Sequence, residues 1–146
     1  MKRGNKRFMK KPSQIAIDGP AASGKTTVGK LLADRLGFLF FDTGVMYRLA
    51  TLHALKKLGQ VDDEAAVTAL TREMDISLRT NEQTGETEAL LFGQLVNGQL
   101  HSPEVDKQVS VVAAYSGVRA ALTEQQRRIG LLGDVVMVGR DIGTVV

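Results

Sequence analysis

The chain has 146 residues, of which 43% are hydrophobic and 24% are charged, a composition typical of one globular domain with a substantial core. No stretch approaches the roughly 18 consecutive apolar residues of a transmembrane helix. The lack of cysteine excludes disulfides, thiolate catalysis and cysteine zinc sites. We therefore expect a cytoplasmic protein that does not contact a membrane.

The net charge of +3 originates at the N-terminus. Residues 1–13 carry six lysine and arginine side chains and no acidic ones, whereas acidic residues outnumber basic ones in the rest of the chain. We predict a basic, disordered tail over residues 1–13. Contact of this tail with nucleic acid is the less favoured alternative, and it would make binding strongly dependent on salt.

Strands and helices alternate in the first part of the chain. The apolar run 14–18 predicts a buried strand, and helical spacing of apolar residues over 25–36 predicts a helix that ends at Gly37. A second buried strand is predicted over 38–41 and a second helix over 44–58. This alternation indicates βαβ units and a parallel sheet.

The pattern changes after residue 62. Asp62 or Asp63 is suited to cap a short helix over 64–73. Three short strands separated by polar turns are predicted next, over residues 75–79, 88–92 and 95–96. These strands indicate a small antiparallel patch inserted between helical segments.

Two helices and a third core strand complete the prediction. Ser102 as N-cap and Pro103 at the first helical position begin a helix through residue 115, and a further helix covers 117–129. The apolar run 135–138 predicts a third buried strand in a parallel sheet covered on both faces. We expect an exposed sheet edge beside this third strand.

Residues 19–26 fit the phosphate-binding pattern G-x-x-x-x-G-K-[ST], with a strand before it and a helix after it, as the motif requires. Its small residues allow backbone N–H groups to converge on a phosphate at a helix N-terminus. We expect Lys25 to neutralise the β- and γ-phosphates of ATP, and the Thr26 hydroxyl to bind Mg²⁺. The predicted ATP-binding residues are Gly19, Pro20, Ala21, Ala22, Ser23, Gly24, Lys25, Thr26 and Thr27.

The phosphate-binding motif alone does not distinguish among kinases, GTPases and ATPases. The chain lacks the Asn-Lys-x-Asp motif by which a GTPase recognises guanine. A motor-type ATPase usually has an acidic residue directly at the end of its Walker B strand. Here the strand over 135–138 is followed by Gly139 and Arg140, and the acidic residue Asp141 comes only after them. These two observations favour a kinase.

Further motifs in the same order along the chain resemble the bacterial cytidylate (CMP/dCMP) kinases. The matching segments are residues 15–25, 42–48, 102–105, 118–122 and 139–146, so that the resemblance covers nearly all of residues 14–146. It implies an α/β fold, the P-loop nucleoside monophosphate kinase fold, in which helices flank a parallel sheet. The P-loop core would comprise residues 14–62 and 117–146, and residues 63–116 would form the antiparallel insert that binds the nucleoside monophosphate.

The resemblance also implies that Arg48 and Arg140 hold the acceptor phosphate, Arg140 acting with Lys25 in catalysis. Ser110, Arg119 and Asp141 would recognise cytosine. Thr43 and Tyr47 would shape the site. The chemistry of cytosine agrees, since a carboxylate suits the N4 amino donor, and hydroxyl and guanidinium donors suit O2 and N3.

We therefore predict transfer of a phosphoryl group from ATP to CMP or dCMP, with Mg²⁺, in pyrimidine nucleotide metabolism. Members of the family are longer, so we expect the fold to be incomplete at its C-terminal side. We also expect the complete protein to be monomeric. Three alternatives remain open: a nucleotide-binding fragment without turnover, a different small P-loop kinase, and a nucleic-acid-binding protein with a basic tail.

Overall fold

The structure is a computed structural model that describes residues 14–19 and 24–139. The predicted tail, the four residues Pro20, Ala21, Ala22 and Ser23, and the pair Arg140 and Asp141 therefore lie outside the described residues. In chain order the elements are β1 (Gln14–Asp18), α1 (Lys25–Leu36), β2 (Leu39–Asp42), α2 (Gly44–Leu58), α3 (Glu64–Glu73), β3 (Ile76–Thr80), β4 (Thr87–Leu91), β5 (Gln94–Leu95), α4 (Pro103–Ala114), α5 (Ser116–Leu131) and β6 (Val135–Gly139).

Three of these strands form the predicted parallel sheet, in the order β1-β6-β2. Gln14 lies opposite Val135 in one pair of strands, and Leu39 lies opposite the same residue in the other. Every residue of β6 is buried, because this strand is paired on both sides and covered on both faces. The expectation of an exposed edge beside the third strand is therefore wrong: β6 is central, and β1 and β2 flank it.

The two faces of the sheet bury alternate residues of β6. Val136 and Val138 face α1, where they pack with Ala33 and Phe38. Val135 and Met137 belong to the larger core that α2 and α5 cover on the opposite face. This alternation follows from the two-residue period of a strand, and it confirms the prediction of a sheet enclosed by helices.

The helix boundaries agree with the local signals in the sequence. Gly37 ends α1 in the left-handed conformation, with φ of 71°, which glycine adopts at little cost. Of the two candidate caps of α3, Asp63 is the N-cap, and its side chain accepts a hydrogen bond from the Ala66 N–H at 3.1 Å. Ser102 caps α4 in the same way by accepting from the Val105 N–H at 3.3 Å.

The predicted insert contains a separate antiparallel sheet in the order β3-β4-β5. Its strands are offset by about one residue from the predicted ranges, because the turns at Gly85 and Gly93, both with positive φ, determine where pairing stops. The Phe40 N–H of β2 donates to the Thr87 hydroxyl of β4 at 2.9 Å, which joins the two sheets. None of the helices in the described ranges has both the length and the apolar character needed to cross a membrane.

Candidate active site

A cleft of about 1180 Å³ opens at the carboxyl ends of the parallel strands. Asp42 at the end of β2 and Gly139 at the end of β6 both line it. In an open α/β sheet this edge is where ligands bind, since loops and helix N-termini converge there. Among the described residues, the charged side chains that line the cleft are Lys25, Asp42, Arg72, Arg119, Glu124 and Arg127, so cations predominate.

Gly19 and Gly24, the two ends of the predicted phosphate-binding segment that the structure describes, follow β1 and precede α1. Gly19 donates its N–H to the Gly139 carbonyl at 3.2 Å, which joins the start of the segment to the end of β6. Gly24 is the N-cap of α1 with φ of 84°, a conformation that favours glycine. The first turn of α1 carries no acidic side chain. No acidic side chain of this turn therefore offsets the positive end of the helix dipole, which favours an anion.

Three predicted donor-side residues lie in the first turn of α1. Lys25 is partly buried and lines the cleft. Thr26 and Thr27 are exposed. A lysine at a helix N-terminus forms an environment that suits a polyphosphate.

The start of α2 brings two of the predicted acceptor-side residues to the opposite side of the cleft. Thr43 is buried, and its N–H donates to the Val138 carbonyl at 2.9 Å. Tyr47 lies one helical turn later and lines the same cleft. The guanidinium of Arg119 on α5 lies close enough to this hydroxyl to act on its ionisation. Burial raises the pKa of Tyr47, and the neighbouring charge of Arg119 partly offsets the rise.

Arg48 and Ser110 do not belong to the lining of this cleft. The guanidinium of Arg48 points towards α4: its Nη1 donates to Asp106 Oδ1 on that helix at 2.6 Å, and to the carbonyl of Leu100, which precedes the helix, at 2.9 Å. Ser110 is exposed on α4. Ala113, which is three residues further along that helix, does line the cleft. The structure thus brings together Lys25, Thr43, Tyr47 and Arg119 in the lining of the cleft, and Arg48 and Ser110 lie outside that lining.

The structure adds cleft residues that sequence reasoning missed. Asp42 ends a parallel strand, a position that favours ligand binding and could have identified it; its Oδ1 also accepts the Gly44 N–H at 2.9 Å. Arg72 in the last turn of α3 and Arg127 on α5 line the cleft as well. No local signal distinguishes these two arginines from ordinary surface cations on helices.

Comparison with known proteins places the chain among nucleotide kinases. The family model described as cytidylate kinase matches residues 15–146. The chain is 48% identical over 144 residues to a cytidylate kinase of Roseiflexus castenholzii, covering 94% of this chain and 61% of that protein. It is 47% identical to a cytidylate kinase of Chloroflexus aggregans, with 94% and 61% covered, and 45% identical to that of Bacillus licheniformis, with 93% and 60% covered. The chain therefore spans about three fifths of the length of these relatives.

Proposed function

Since the chain belongs to the cytidylate kinase family, we propose that it transfers the γ-phosphoryl group of ATP to CMP or dCMP, giving ADP and the nucleoside diphosphate. The observation that carries this proposal is the cleft itself. Lys25 of the phosphate-binding segment and the Tyr47–Arg119 pair of the acceptor-side motifs line it together. A donor and an acceptor nucleotide would thus have their phosphates in one cavity.

On the donor side, the first turn of α1 would receive the phosphates of ATP. Lys25 would neutralise β- and γ-oxygens as negative charge moves during transfer. Gly19 and Gly24, the ends of the glycine-rich segment, allow the backbone to approach a phosphate closely because neither carries a Cβ.

Mg²⁺ would bind through the exposed hydroxyl of Thr26 and through phosphate oxygens of ATP. No cluster of three acidic or histidine side chains that could hold a metal occurs among the described residues. This composition fits a hard cation that binds few protein oxygens and takes its other ligands from substrate and water. When bound, the ion would reduce the negative charge of the phosphates.

On the acceptor side, Arg119, which lies near the Tyr47 hydroxyl, would donate to O2 or N3 of cytosine. Ser110 would supply a second donor, and Asp141 would accept from the N4 amino group. Uracil presents O4 and N3–H instead, which would leave two of these groups unpaired. Unpaired polar groups in a binding pocket are costly, so this set would select cytosine.

The acceptor phosphate would be held by Arg48 and Arg140 and would attack the γ-phosphorus of ATP in line. Phosphoryl transfer needs little covalent work from the protein, and positioning and charge neutralisation account for most of the rate. Substrates of this kind are dissolved in the cytoplasm, and we place the activity there.

The test is a comparison of acceptors in the presence of Mg-ATP. ADP formation with CMP and dCMP, and much less with UMP or AMP, is the expected result. CMP binding by calorimetry without ADP formation would favour a nucleotide-binding chain without turnover. Equal or better use of another monophosphate would show a different small P-loop kinase and contradict the proposal.

A further inference from the structure

An ion pair between two helices holds Arg48, the residue to which the proposed function assigns the acceptor phosphate. Its Nη1 lies 2.6 Å from Asp106 Oδ1 and 2.9 Å from the Leu100 carbonyl oxygen. The Arg48 side chain is 26% exposed and that of Asp106 is 52% exposed. The pair therefore lies at the surface, within reach of a dissolved anion.

Asp106 lies on the same stripe of α4 as a residue that lines the cleft. Ser110 follows one helical turn later, and Ala113, the next residue along this side, lines the cleft. On α2, Arg48 is the immediate neighbour of Tyr47, which also lines the cleft. The carboxylate of Asp106 therefore occupies the arginine to which the proposed function assigns the acceptor phosphate.

We propose that Asp106 competes with the acceptor phosphate for Arg48. The inference rests on the proposed function for the role of Arg48, and it adds a residue that tunes acceptor affinity. A carboxylate and a phosphate are both oxygen anions that pair with guanidinium through charge-assisted hydrogen bonds. Binding of the acceptor then exchanges one anion for another at Arg48, and the α2–α4 contact made by this pair opens.

The proposal predicts the direction in which the affinity for a phosphate-bearing ligand changes when Asp106 is replaced. Removing the carboxylate releases Arg48 and strengthens binding of a phosphate-bearing ligand. The gain is about two- to fivefold, because a partly exposed ion pair contributes little. If Asp106 instead oriented Arg48 for the phosphate, its removal would weaken binding.

The experiment measures affinities of the full 146-residue chain for CMP and for cytidine by calorimetry. Asp106→Ala tightens CMP binding about two- to fivefold, and Asp106→Asn by less, since an amide still accepts a weaker hydrogen bond. Cytidine affinity stays constant, because cytidine has no phosphate. Glu104→Gln is the matched control: it removes the same charge from the first turn of α4 and leaves the Arg48–Asp106 contact in place.

A double-mutant cycle completes the test. In an Arg48→Ala background the gain from Asp106→Ala disappears. Weaker CMP binding by both Asp106 variants, an equal gain for cytidine, or a gain that persists without Arg48 would each overturn the proposal.

Failure of the proposed function gives a different result. In that case the wild-type protein binds UMP or AMP as tightly as CMP. The competition between Asp106 and the phosphate is then tested by comparing the affinity of each nucleotide with that of its nucleoside, in wild type and in Asp106→Ala. If no nucleotide binds, inorganic phosphate is the probe. Absence of tighter phosphate binding by Asp106→Ala then overturns the role of Asp106 as well.

Discussion

Lys25 and Arg119 belong to different motifs, far apart in the chain, yet they line the same cleft. Lys25 lies on α1, which packs against the parallel sheet, and Arg119 lies on α5, which packs against α3. Packed helices therefore position both side chains. Lys25 is in the first turn of α1, where side-chain substitutions disturb the helix little. The effect of substituting Lys25 on function can therefore be separated from its effect on folding.

Lys25→Ala tests the donor side. We expect loss of ATP-dependent ADP formation by about a hundredfold or more, because the phosphates lose their positive partner. Calorimetric ATP affinity should fall as well, with an unchanged circular dichroism spectrum. Lys56→Ala, at an exposed lysine near the end of α2 outside the cleft lining, is the control. Full turnover by Lys25→Ala would contradict the assignment.

The phenol of Tyr47 reports its contact with Arg119 without any activity assay. The chain has two tyrosines and no tryptophan, so phenolate absorbance is easily assigned. Burial raises the pKa of Tyr47 above 10.0 and Arg119 lowers it, so Arg119→Ala should raise the pKa of Tyr47 further. Tyr47→Phe identifies the remaining signal as Tyr115. An unchanged Tyr47 titration in Arg119→Ala would show that the two side chains do not touch.

The raised pKa values also give stability a pH dependence with a known sign. Burial raises the pKa of Tyr115 as well as that of Tyr47. The folded state therefore favours the neutral phenols. The contribution of the neutral phenols to the free energy of unfolding is fully present below pH 10.0, the pKa of tyrosine in the unfolded chain. It is lost as the pH rises through the pKa values of the folded state.

At the scale of elements, the distance between α1 and the sheet depends on one glycine. A Cβ at Gly29 would lie 2.6 Å from Val138 Cγ2 and 2.9 Å from Phe40 Cε1. The helix can lie this close only because residue 29 has no side chain. Gly29 lies one helical turn after Lys25, so this contact positions the helix that carries Lys25.

Gly29→Ala should therefore destabilise the fold by about 1–3 kcal/mol, the usual cost of overpacking. Urea unfolding measures it. Gly130→Ala is a matched control on α5, since a Cβ there meets nothing within 4 Å; this variant should be neutral or more stable by about 0.5–1 kcal/mol, because alanine favours helix. Equal effects of the two substitutions would contradict close packing at Gly29.

At the scale of the whole molecule, nucleotide binding should stabilise every element that contributes to the cleft, which includes parts of α1 to α5. A ligand that binds only the folded chain raises its free energy of unfolding, by about 2.7 kcal/mol at a concentration a hundredfold above Kd. CMP should therefore raise Tm more than equal concentrations of UMP. Equal shifts with both nucleotides would contradict cytosine selection.

The sequence by itself determined the helices and strands, and it predicted the phosphate-binding segment. Strand and helix periods, the Asp63 and Ser102 caps and the left-handed Gly37 are local signals, and each had its predicted effect. The motif at 19–26 predicts the donor side from the sequence alone, because its chemistry is contained in consecutive residues. Alternation of strands with helices was sufficient to predict a parallel sheet.

Only the tertiary structure decided which elements are neighbours. The central position of β6, the presence of Arg72 and Arg127 in the cleft, and the Arg48–Asp106 pair all join residues distant in the chain. The physical reason is that strand order and helix packing depend on burial summed over the whole core, including close contacts such as that at Gly29. No local pattern records that sum, and so a lone arginine on a helix gives no sign of the partner it meets.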